Sequence, residues 1–238
     1  MSEVAARLSA IRHRIADAAA RVGREPGEIT LVGVSKRQPA ARVRAALEAG
    51  LRDVGENYLQ EAVARHAELM QAPGPPHGSS VRWHFIGQLQ RNKVRQLVPI
   101  FDVVQTLDRE SLGDELERRC AAADRRLEVL VQVDLSNEPR KGGVAPERLP
   151  DLLSASERWP SLRITGLMAI PAATAHAEQS RPAFARLREL RDAQRQQPAA
   201  AGLRELSMGM SHDFEVAIEE GATIIRVGTA LFGEREPG

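Results

Sequence analysis

The chain has 238 residues, 42% of them apolar, with 33 basic against 32 acidic side chains. That suffices for one large core, and a net charge of +1 gives nucleic acid or a membrane surface no field to follow. A single cysteine excludes an internal disulfide framework and fits a reducing compartment.

Residues 1–22 read as an amphipathic helix, with Val4, Leu8, Ile11 and Ile15 on one stripe. Charges run throughout it, so neither a signal peptide nor a membrane span is expected, and a cytoplasmic location follows. GREPGE breaks the helix, and strand and helix signals then alternate. Apolar, β-branched runs at 29–35, 52–56, 82–87, 102–107, 127–135, 162–170, 203–209 and 223–230 predict eight strands. Between them, periodicity predicts helices at about 40–49, 57–71, 91–98, 109–124, 146–157, 178–197 and 212–220. Cys120 recurs with Leu112 and Leu116 at helical spacing, which makes it core filler.

Apolar strands covered by helices imply a parallel sheet buried on both faces. Eight such units close into a single (β/α)8 TIM barrel, here with an extra N-terminal helix. A doubly wound open sheet is the alternative, because strands such as 52–56 are short. QAPGPPHGSS (71–80) is the most loop-like segment, but it joins a helix to a strand. No linker divides the chain, so residues 1–238 are expected to form one domain.

Lysine occurs only at 36, 93 and 141, so 30 of the 33 basic residues are arginine. A lysine kept in such a chain is informative, because it can lose its proton and form a Schiff base and arginine cannot. In VSKRQPA (34–40), strand alternation puts Val32, Val34 and Lys36 on one side. Lys36 then sits at the carboxyl end of strand 1, on the face where barrel active sites lie. Strand 8 gives the same parity to Ile224, Arg226 and Gly228, and closure brings Lys36 and Arg226 to one small space.

Barrels of this kind often bind phosphate through the loops after strands 7 and 8. Here those loops are Ser207-Met208-Gly209-Met210-Ser211 and Gly228-Thr229, with bare backbone and hydroxyls. Helix 212–220 could aim free N–H groups at an anion. A lysine beside an arginine in a partly dry pocket is expected to give up its proton, because burial and like charge both disfavour the ammonium. A nucleophilic amine, a phosphate cradle and an arginine together suit pyridoxal 5′-phosphate (PLP).

VSKxxPA, GENY (55–58), WHFIGQLQRNK (83–93), GLMAIP (166–171), LSMGMSHDFEVAI (206–218) and IRVGTALFG (225–233) span nearly the whole chain. In that order they resemble the pyridoxal phosphate homeostasis proteins. The resemblance implies a (β/α)8 barrel similar to the N-terminal domain of alanine racemase, binding PLP covalently without robust amino-acid conversion. It implies Lys36 as the Schiff-base lysine, Ser207, Met208, Gly209, Gly228 and Thr229 around the phosphate, Arg226 by the ring nitrogen, and Asn57 near the cofactor. It also implies a monomer, with apo-PLP enzymes as possible recipients. Lys93 and Lys141 fall within family motifs. Many members have Thr-Lys where this chain has Arg37-Gln38, so a second lysine that could pass on PLP is missing here.

Elsewhere the residues read as structural. His84 is expected to be a satisfied core or rim histidine, His212 a capping or surface residue, and Trp83, Phe85 and Tyr58 packing residues. Asp134 either reaches the barrel mouth or makes structural hydrogen bonds. No metal-ligand spacing such as HExxH occurs, so no metal is expected. A racemase needs acid–base groups on both faces of its substrate. With the chain ending at 238, no added domain is expected to supply the second. A PLP racemase and a Schiff-base aldolase stay open as alternatives to a non-catalytic carrier.

Overall fold

Each predicted strand forms, and each is shorter than the apolar run that announced it. In the computed structural model, which describes residues 2–71, 81–136, 142–197 and 200–234, they are β1 (Thr30–Val34), β2 (Asp53–Glu56), β3 (Arg82–Phe85), β4 (Val103–Leu107), β5 (Leu127–Gln132), β6 (Leu162–Met168), β7 (Glu205–Ser207) and β8 (Ile224–Val227). They pair in chain order, all parallel, and β8 returns to β1 to close the barrel. Closure excludes the open-sheet alternative.

The helices are α1 (Glu3–Arg21), α2 (Ala40–Glu48), α3 (Leu59–Gln71), α4 (Val94–Leu97), α5 (Glu110–Ala122), α6 (Leu149–Ala155), α7 (Arg181–Gln194), α8 (Phe214–Glu219) and α9 (Thr229–Phe232). Their apolar faces and the outward strand faces make one large core. Trp83, Phe85 and Phe101 meet edge to face in it, as packing residues do. Cys120 is fully buried there, and burial raises its thiol pKa to about 11, with Glu117 adding to the effect.

The barrel interior holds a smaller apolar cluster of Val32, Val103, Leu130, Met168 and Ile224. The alternation read from β1 and β8 therefore holds: Val32 and Ile224 point inward. Among them stand four buried polar side chains, His84, Gln105, Ser207 and Arg226.

Helix α1 is stapled to α8. Arg14 donates twice to Glu215, at 2.9 Å each, and its guanidinium lies 4.5 Å from the Phe214 ring centre. Arg21 meets Glu219 at 2.7 Å, and Arg24 donates to the Ile218 and Ala222 carbonyls. Glu219 also takes Arg181 from α7, so one carboxylate ties three helices together.

Candidate functional site

The segment that carries Lys36 is clamped on both sides. β1 ends at Val34, and the next residue, Ser35, is buried; its N–H donates to the Gly55 carbonyl. Its hydroxyl donates to Glu56 at 2.6 Å. Arg65 reaches in from α3, pairs with Glu56 at 2.6 Å, and donates to the carbonyls of Ser35 and Gln38. Arg37 adopts a φ of +56°, a left-handed conformation unusual for arginine, and its N–H is held by Glu61. Burial pushes the Glu56 pKa up, while the Arg65 charge and the Ser35 hydroxyl oppose it. An ion pair taken out of water is costly to break, so these contacts fix the main chain around Lys36.

The Lys36 side chain points into a pocket of about 310 Å³ at the carboxyl ends of the strands. Its Nζ lies 5.1 Å from the centre of the Tyr58 ring, and no carboxylate pairs with it among the described residues. Asn57, Arg226, Gly228 and Thr229 line the same space, so five of the eight predicted site residues meet there. Val34, Ile86 and Ile170 give it apolar walls, and Ser211 lies at the loop end. The Ser211 hydroxyl accepts from the N–H groups of Gly228 and Ala230, at 3.2 and 3.3 Å, joining the loops after β7 and β8. The N–H groups of Ser211, His212 and Thr229 have no acceptor among the described residues. Asn57 Oδ1 is buried without a donor among them. Gly87 permits this placement, because a Cβ there would come within 2.0 Å of the Asn57 carbonyl oxygen.

Ser207, Met208 and Gly209 do not line the pocket. Ser207 is fully buried, and its hydroxyl donates to Gln105 at 2.6 Å while accepting from Arg226. Met208 faces the outer core. Gly209 has a φ of +89°, and its bare Cα lets α8 pack close, since a Cβ would sit 2.5 Å from that of Ala217. The helix read as 212–220 begins at Phe214, and the N–H groups of Asp213 and Phe214 both donate to the Met210 carbonyl. Those donors are therefore not offered to an anion.

Arg226 is only 4% exposed. It donates through Nη1 to Ser207 and through Nη2 to the Ala169 carbonyl at 2.9 Å. Burial lowers its pKa to about 10, which still leaves the guanidinium charged at neutral pH.

His84 is a fully buried, satisfied histidine. Asp134 accepts from Ser136 in its own turn, so it is structural. Tyr58 is not packed but 44% exposed at the rim. His212 is exposed, and Asp213 rather than His212 precedes α8. Lys93 lines an adjoining cleft of about 400 Å³ that shares Asn57 with the Lys36 pocket, and Lys141 lies outside the described residues. Among the described residues no cluster of His, Cys, Asp or Glu could hold a metal, and no helix is long and apolar enough to cross a membrane.

The sequence reading missed the Glu56–Arg65 clamp and the hydroxyl of Ser211 as the joint between two loops. Ser211 was findable, standing in SMGMS beside the predicted cradle. Arg65 was not, being one arginine among 30 on a helix face.

Residues 6–236 match the alanine racemase N-terminal domain family. A pyridoxal phosphate homeostasis protein of Pseudomonas aeruginosa is 47% identical over 238 residues, covering 100% of this chain and 98% of that one. One from Aquifex aeolicus is 43% identical, covering 97% of each. The structure of PipY from Synechococcus elongatus with PLP bound superposes with a TM-score of 0.84 at 37% identity, covering 97% of this chain and 100% of that one. An alanine racemase from Bacillus anthracis shares the fold at a TM-score of 0.63 and 17% identity, with this chain covering 57% of its length.

Proposed function

The chain belongs to the alanine racemase N-terminal domain family and, within it, to the pyridoxal phosphate homeostasis proteins, and we propose that it holds PLP as a Schiff base on Lys36. Its role in this reading is intracellular PLP homeostasis in the cytoplasm, as a monomeric single-domain carrier without robust turnover.

The observation that carries the reading is the convergence of an unpaired lysine, a buried arginine and two amide-rich loops on one pocket. The donor set fits PLP end to end. When bound, PLP supplies an aldehyde for an amine to capture and a phosphate dianion for amides to hold. Lys36 is the amine, fixed by the grip on Ser35 and Gln38. The amides of Ser211, His212 and Thr229, with Gly228 as bare backbone, bind the phosphate. Arg226 would stand by the ring nitrogen, where its charge would disfavour protonation and so weaken carbanion chemistry. Val34, Ile86 and Ile170 exclude water from the ring faces. Asn57, whose buried Oδ1 has no donor among the described residues, would lie beside the cofactor. Ser207 and Gly209 act behind the pocket: Ser207 steadies Arg226, and Gly209 shapes the loop.

The fold is shared with PLP enzymes, so turnover is the second reading. Of the pocket residues besides Lys36, His212 carries the imidazole, a group that can move a proton. Incubation with D- or L-alanine separates the two. A carrier yields no sustained racemisation, while turnover abolished by His212→Ala establishes an enzyme. The apo-PLP enzymes that would receive the cofactor are tested by mixing the loaded protein with one of them and following its activation.

A further inference from the structure

A line of hydrogen bonds crosses the barrel interior behind the pocket. Asp53 Oδ1 meets His84 Nε2 at 2.9 Å, and His84 Nδ1 meets Gln105 Nε2 at 2.9 Å. Gln105 Oε1 accepts from Ser207 Oγ at 2.6 Å, and Ser207 Oγ accepts from Arg226 Nη1 at 2.5 Å. Five strands, β2, β3, β4, β7 and β8, contribute one residue each. His84, Gln105 and Ser207 are fully buried. Asp53 lines a separate cavity of about 470 Å³ at the amino-terminal edges of β1 and β2. Arg226 lines the PLP pocket at the other end.

With Gln105 turned as it stands, Nε2 toward His84 and Oε1 toward Ser207, the chemistry of the two ends fits one direction for every bond. An ionised carboxylate only accepts, so His84 must donate from Nε2. Neutral His84 then accepts at Nδ1, which requires the amide nitrogen of Gln105 to donate. The amide oxygen of Gln105 is left to accept, so Ser207 gives it its one proton. Ser207 Oγ then has only lone pairs for Arg226. A guanidinium only donates, so the last bond agrees with the first. For a neutral imidazole one orientation satisfies all four contacts, and a reversed amide or the other tautomer leaves two donors or two acceptors facing each other. Gln105 carries no labile acid proton, so the line transmits orientation rather than protons.

We propose that Asp53 and His84 are positioning residues for Arg226, setting through Gln105 and Ser207 the placement of the guanidinium that the cofactor ring meets. This rests on the PLP reading. A role in mere core filling would ask only for bulk at position 84, whereas this one asks for an acceptor where Nδ1 stands.

The test compares the parent, His84→Phe and His84→Asn for PLP affinity and for the absorption maximum of bound PLP. Phenylalanine fills the space without an acceptor. Asparagine keeps an acceptor near the Nδ1 position. His84→Phe is expected to weaken PLP binding about tenfold, the scale of one hydrogen bond to a charged group, and to displace the absorption maximum. His84→Asn is expected to restore both toward the parent. Parent-like affinity and spectrum in His84→Phe would overturn the proposal. Nitrogen NMR of His84 in the unloaded parent needs no variant and no cofactor. It should show the neutral Nε2–H tautomer, and an Nδ1–H tautomer or an imidazolium at neutral pH would refute the assignment. A parent that binds no PLP refutes the cofactor reading instead, and the NMR result then judges the hydrogen-bond line alone.

Discussion

Arg65 and Glu56 show what fixes the main chain around Lys36. Replacing Arg65 with leucine leaves a buried carboxylate without its ion partner and frees two carbonyls flanking Lys36. A loss of about 3–5 kcal/mol is expected in urea unfolding, the usual cost of breaking a buried pair on one side; an unchanged midpoint would show that the clamp carries no weight. Gly209→Ala forces a Cβ onto α8 at a left-handed backbone position and should lower stability by about 1–3 kcal/mol. Cys120, buried and with a raised thiol pKa, should react with a thiol reagent only on unfolding, so fast labelling of the native protein would contradict its place in the core. Lys36 was legible in the sequence because lysine is scarce here and strand parity aims it at the barrel mouth. Ser207 was legible as a polar residue at the right strand end, but not its partner. Which of two hydroxyls faces a loop and which faces inward is settled by Gln105, 102 residues away.

At the scale of elements, strand and helix types followed from periodicity, while ends did not. The 203–209 run yields only Glu205–Ser207 as strand, because the chain must turn at Gly209 to bring α8 against the barrel. The helix read as 212–220 loses its first residues because Met210 O draws the N–H groups of Asp213 and Phe214 into a turn. The added helix α1 was visible as a stripe of Val4, Leu8, Ile11 and Ile15, but its docking partner was not. Arginines on the opposite edge choose α8 through Glu215 and Glu219. Those carboxylates have pKa values lowered chiefly by hydrogen bonds from Arg14 and Arg181 respectively. Their folded pKa lies below the unfolded one, so the stabilisation is present above the unfolded carboxylate range and lost as pH falls through the folded value. Acid should thus loosen the ion pairs that α8 makes with α1 and α7, and Arg14→Met should flatten the fall in thermal stability below about pH 4. An identical pH profile in that variant would deny these pairs this role.

For the whole molecule, the barrel closes in chain order, so each strand depends on two neighbours and the last depends on the first. A single cooperative unfolding transition is expected by calorimetry, and two separable transitions would argue against one domain. Closure is also what brings the Lys36 amine, two residues past β1, into one pocket with Arg226 of β8, as the strand alternation in the sequence predicts. The most direct measurement is borohydride reduction of the PLP-incubated protein, followed by intact-mass and peptide mapping. One reduced pyridoxyl phosphate per chain on Lys36, absent in a folded Lys36→Ala variant, is the expected result. An unmodified protein, or a label confined to Lys93 or Lys141, would contradict it.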